Sequence, residues 1–174
     1  MSKKFELTSN TKMFFGKKLF QIKALISFGY VKEGDLGGYI EKEENLSHYG
    51  NAWVYGNAEV YGNAWVCGNA WVCGDAEVCG NAKVYGDANV YGDAKVCGDA
   101  DVYGDADYTT IKGFGTEYRT TTFFRCKDEV TRVKCGCFYG DLNEFRNQVK
   151  NTRSGKIAEE YLMIADLMEK HFSK

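Results

Sequence analysis

Tyr49-Gly50-Asn51-Ala52-Trp53-Val54 opens a run of ten hexads that ends with Tyr103-Gly104-Asp105-Ala106-Asp107-Tyr108. Each hexad has Tyr or Cys first, Gly second, Asn or Asp third and Ala fourth. The fifth position is free, and the sixth is Val in every copy but the last. Ala and Val lie two residues apart, so on a strand they share a face. The residue between them varies through Trp53, Glu59, Trp65, Trp71, Glu77, Lys83, Asn89, Lys95 and Asp101, as expected of a solvent face. Gly followed by Asn or Asp then turns the chain, because both tolerate the backbone of a tight corner. A short strand and a corner every six residues wind a parallel coil, and three such sides close a triangular prism. A flatter coil of two sides suits the pattern less well, since every hexad carries both the small and the branched residue.

A coil of three hexads predicts which residues stack. Trp53 falls in line with Trp71, Asn89 and Asp107. Glu59, Glu77 and Lys95 share a second side, and Trp65, Lys83 and Asp101 a third. Trp53, Trp71 and the nearby Trp65 are therefore expected as the most exposed apolar surface, a candidate contact site. Asp75 over Asp93 and Asp87 over Asp105 would repel unless turn amides or a cation relieve them. Asn fills the same slot in other hexads, so turn capping accounts for it without metal.

The chain has 174 residues, 22 basic and 24 acidic, for a net charge of -2. That balance disfavours a nucleic-acid or membrane surface. The start carries no continuous apolar run, and no segment has the length of a membrane span. Four of the seven cysteines alternate with Tyr in one repeat slot, which argues for packing and for a reduced, cytoplasmic protein. Residues 1–33 read as a small β element, 34–108 as the capped helix, 109–140 as a β-hairpin region and 141–174 as two helices. Ile40 and Leu46 are six apart but Val54 is eight beyond Leu46, so the first coil is expected to be irregular. Asp141 and Glu144 form a capping-box pair for a helix burying Leu142, Phe145 and Val149. A second helix, from about Lys156 to His171, is expected to turn Ile157, Tyr161, Ile164, Leu167 and Met168 inward. These helices are expected to close the far end or pack on a side of the prism.

The hexads resemble the hexapeptide-repeat, left-handed parallel β-helix group, on the aliphatic residue followed four places later by a small one, as in Val54 and Ala58. Here Tyr or Cys follows the aliphatic residue, where that group has Gly. The resemblance implies left-handed coils, a trimer about the prism axis and an acyltransferase whose general base is a His. His48 is the candidate if so. Gly34-Asp35-Leu36-Gly37-Gly38-Tyr39-Ile40-Glu41, the Tyr-Gly-Asp-Ala hexads and Cys135-Gly136-Cys137-Phe138-Tyr139-Gly140 together resemble a protein family of bacterial phages and prophages. That resemblance implies a host-cell setting and no particular chemistry.

The expected function is a non-catalytic, oligomeric binding protein that engages a ligand or a host protein at its flanks or subunit seams, without a cofactor. The candidate contact residues are Trp53, Trp65 and Trp71 on the helix, and Arg119, Arg125, Arg132 and Lys134 beyond it. The basic group suits a phosphorylated small molecule, and sequestration of a nucleotide immune signal is one form of that reading. Trimer and dimer both remain open. Cys135 and Cys137, with Cys126, are too few for a structural zinc site and lack redox spacing, so packing is expected of them.

Overall fold

A computed structural model describes residues 3–173. Met1, Ser2 and Lys174, which the sequence reading includes in the terminal elements, lie outside the described residues. The fold is mainly β: a parallel solenoid, an antiparallel sheet after it and two helices.

Nine two-residue strands make the regular coils: β4 (Trp53–Val54), β5 (Glu59–Val60), β6 (Trp65–Val66), β7 (Trp71–Val72), β8 (Glu77–Val78), β9 (Lys83–Val84), β10 (Asn89–Val90), β11 (Lys95–Val96) and β12 (Asp101–Val102). They sort into three parallel stacks, β4-β7-β10, β5-β8-β11 and β6-β9-β12, so the prism has three sides. Trp53 pairs with Trp71 and Trp71 with Asn89, eighteen residues apart each time. Every inward Ala and Val from Ala52 to Val102 is at most 1% exposed. Gly80 shows why the corner is glycine: its φ is +71°, and a Cβ there would lie 2.8 Å from the Gly98 nitrogen in the next coil.

The first coil is irregular as expected. Strand β3 (Leu36–Ile40) joins the second side with Ile40 against Val60, and Leu46 bridges Val66, both twenty residues apart. Ahead of it, β1 (Phe5–Phe14) and β2 (Lys17–Ala24) form an antiparallel hairpin that continues the same sheet beyond β3. The hairpin turns on Phe15 and Gly16, with φ of 45° and 77°. Two successive positive φ values match a two-residue turn whose twist suits a hairpin.

Side chains close both open ends of the coil stack. Coil N–H groups donate forward, Trp53 to the Ala70 carbonyl and so on up the stack, which leaves first-coil carbonyls and last-coil amides without a coil partner. At the first end the Lys4 ammonium donates to the Ala52 carbonyl at 2.8 Å, and the Asn45 amide donates to the Ala64 carbonyl at 2.8 Å. At the far end the Asn89 N–H donates to Asp105, the Lys95 N–H to Thr122 Oγ1, and the Tyr103 and Gly104 amides to Asp107.

Strands β13 (Tyr108–Ile111), β14 (Thr121–Arg125), β15 (Thr131–Cys135) and β16 (Phe138–Asp141) form the antiparallel sheet, in that order. The sheet is what closes the far end, and the helices cover its other face. Phe124 and Cys126 join the solenoid core, while Phe123 and Val133 join a second core with the helices. Helix α1 (Leu142–Thr152) carries the expected reciprocal cap, Glu144 N–H to Asp141 and Asp141 N–H to Glu144, both 2.8 Å. Helix α2 (Gly155–Phe172) buries Tyr161, Ile164, Ala165, Met168 and Phe172. Leu167, expected inward, is 57% exposed. At 3.6 residues per turn it lies roughly 115° from the centre of that buried stripe.

Candidate functional site

The tryptophans separate. Trp53 is fully buried, against the expectation that it faces solvent. The N-terminal element covers it: Phe5 and Phe28 pack edge-on at 6.4 and 5.4 Å. A Cβ on Gly37 would come within 2.8 Å of the indole, so the close approach of β3 needs glycine there. Trp71 is half-buried with Tyr30 beside it, and Trp65 is 41% exposed under the Lys83 ammonium. Trp53 therefore belongs to the core, and only the other two reach the surface.

His48 is part of the first-coil cap. It stacks on Phe5 at 4.3 Å, its Nδ1 accepts the Lys4 N–H at 3.2 Å, and its Nε2 lies 3.8 Å from Glu43. With Nδ1 accepting that proton, the neutral ring carries its own hydrogen on Nε2, towards Glu43, so both nitrogens take part in the cap.

The basic residues also separate: Arg125 shares the helix-facing side of the sheet with Phe123, Arg132 and Lys134 share the solenoid-facing side with Phe124, and Arg119 precedes β14. Arg132 makes two 2.7 Å hydrogen bonds to Asp128 and holds that carboxyl down at about 2. Arg125 pairs with Asp107 at 3.3 Å and sits over the Phe172 ring. Lys134, two residues along the strand from Arg132, points to the same face of the sheet, towards the solenoid corner of Cys79 and Cys97. Arg125 and Arg132 are held by carboxylates and Lys134 faces the solenoid, so the structure does not gather the three with Arg119 around one cavity.

Arg119 instead lines a cavity of about 210 Å³ between the sheet and α1, together with Arg153. Phe138, Phe145, Val149 and Tyr161 form its apolar floor, and Gln148 and Thr152 add polar groups. Arg153 was not among the expected site residues. It is the C-cap of α1, and its guanidinium donates to the Thr152 carbonyl at 3.0 Å. Arg119 has a carboxylate, that of Glu117, only at 3.6 Å, and both side chains are more than half exposed. Cys135 and Cys137 line the same cavity, whereas Cys126 lies in the solenoid core, so the three cysteines do not converge. Burial pushes the Tyr161 phenol above its ordinary range, so it remains a neutral donor. Tyr161 donates to the Phe114 carbonyl at 3.2 Å, which fixes the cavity wall.

No protein-family model matches the chain, and no curated protein matches it. Among the described residues, no helix is long and apolar enough to cross a membrane.

Proposed function

We propose that this chain is a non-catalytic binding protein that takes a phosphorylated small molecule in the cavity between α1 and the C-terminal sheet. One observation carries the reading. Arg119 and Arg153 reach a single apolar-floored cavity from separate elements, while Arg125 and Arg132 are held by carboxylates. Guanidinium groups present paired donors that match phosphate oxygens, and an apolar floor strengthens such bonds. The resemblance to phage and prophage proteins supports a host-cell cytoplasmic setting. The bare Trp65 side of the prism supports self-association.

Isothermal titration with inorganic phosphate, pyrophosphate, tripolyphosphate and nucleoside phosphates tests the reading. Binding of at least one is expected, with Arg119→Ala and Arg153→Ala each weakening it by about tenfold or more. Equal affinity in both variants, or no binding by any member at millimolar concentration, overturns it.

A further inference from the structure

Resting on that reading, we infer that the ligand is a nucleotide, whose planar ring lies in a second groove that the N-terminal hairpin helps to build. This groove, of about 530 Å³, shares Arg119 and Cys137 with the smaller cavity. A phosphate held at Arg119 therefore has the groove beside it. The additional lining comes from Phe15, Tyr118, Asp93, Lys95 and Lys112.

Two of these residues are unusual in the same way. Phe15 and Tyr118 have φ of 45° and 50°. They are also 75% and 68% exposed. Aromatic residues rarely adopt positive φ, because Cβ crowds the backbone. An exposed ring gains little burial to offset that strain. Two such rings on one groove, brought from either side of the solenoid in the chain, fit a surface that stacks a planar ligand.

The groove's polar groups narrow the ring to a heterocycle with hydrogen-bonding edges. The Lys112 ammonium lies 2.5 Å from the Asp93 carboxylate and keeps it ionised, below its usual range. Asp93 Oδ2 takes Lys112 and the Thr120 hydroxyl, the latter at 3.4 Å, and the Lys95 ammonium pairs with Glu77 at 2.9 Å, so the second Asp93 oxygen is the acceptor offered to an exocyclic amine or a sugar hydroxyl. A hydrocarbon ring would make no use of that carboxylate oxygen.

Titration of ATP and of tripolyphosphate into the full chain, and into Phe15→Asn and Tyr118→Asn, separates the two readings. Asn suits positive φ, so neither variant should lower the unfolding midpoint. ATP is expected to bind about tenfold or more tighter than tripolyphosphate. Each substitution should shrink that gap and leave tripolyphosphate affinity unchanged. Equal affinities for the two compounds in all three chains overturn the nucleotide assignment and leave the phosphate reading standing. Binding of neither compound removes the nucleotide assignment, and with no binding of phosphate or pyrophosphate either it removes both.

Discussion

Lys4 shows how one side chain can stand in for an absent coil. The residue is 1% exposed, and its ammonium reaches the Gly50 and Ala52 carbonyls, which no preceding coil covers. Burial moves its pKa from 10.5 to about 8. The folded lysine thus releases its proton at lower pH than the unfolded one. Below both values each state is charged and the burial penalty is complete. Between about pH 8 and 10.5 the unfolded state binds more protons, so stability rises with pH there. Lys4→Met should cost about 1–3 kcal/mol at pH 7 by leaving a carbonyl unpaired. Urea unfolding of both chains at pH 7.5 and 9.5 checks the sign, since the difference in stability must grow in favour of the native chain. A constant difference would mean that Lys4 keeps an ordinary pKa.

At the scale of the element, the third hexad position builds hydrogen-bonded columns up the prism corners. Asn51 donates to Asn69 at 3.1 Å, and Asn69 donates to Asp87 at 3.0 Å. Asn57 donates to Asp75, and Asn63 to Asn81, which donates to Asp99. An amide both donates and accepts, whereas a carboxylate only accepts, so Asp fits where a column ends. Asp93, stacked beyond Asp75, is neutralised from outside by Lys112, and Asp105 turns instead to the Asn89 amide. These contacts relieve the carboxylate columns that the repeat implied. Asn69→Asp would place a carboxylate directly against Asp87 and delete their bond. The side chains are exposed, so the expected loss is only about 0.5–1.5 kcal/mol. Raising salt to 0.5 M should recover part of it, while Asn69→Ala should show no such recovery. Denaturant midpoints at the two salt levels decide the point.

Much of the whole molecule was legible because the repeat is local: a period of six fixes which side chains face inward, and the two-residue slip after Leu46 marks the irregular first coil. What was not legible arises between distant segments. The free hexad position places Trp53 outward, and only a hairpin and loop from earlier in the chain enclose it. Arg153 joins Arg119 because α1 lies over the sheet, a relation that neither local sequence contains. The flanks also decide which side stays bare. Tyr30 and Asp105 reach the Trp53 side, and Lys12 pairs with Glu59 on the second, whereas Trp65 and Lys83 stay exposed and Asp101 half-buried on the third.

That third side is the surface on which to expect self-association, and its size sets the strength. Three to four coils at about 4.8 Å spacing give a face roughly 17 Å tall and of similar width, on the order of 300 Å² per partner. A stable interface buries about 1,200–2,000 Å² in total, so this side alone falls short. Contact must spread to the neighbouring corner, where Tyr85 and Tyr103 pack at 5.3 Å and Tyr103 is 61% exposed. Association should therefore be weak and concentration-dependent. Light scattering across a dilution series should show mass above one chain only at higher concentration, with Trp65→Ser moving the transition upward by about tenfold. The unfolding midpoint at low concentration should stay unchanged, because this indole lies outside both cores. A mass of one chain at every concentration, or an identical transition in the variant, would remove the Trp65 side as an interface.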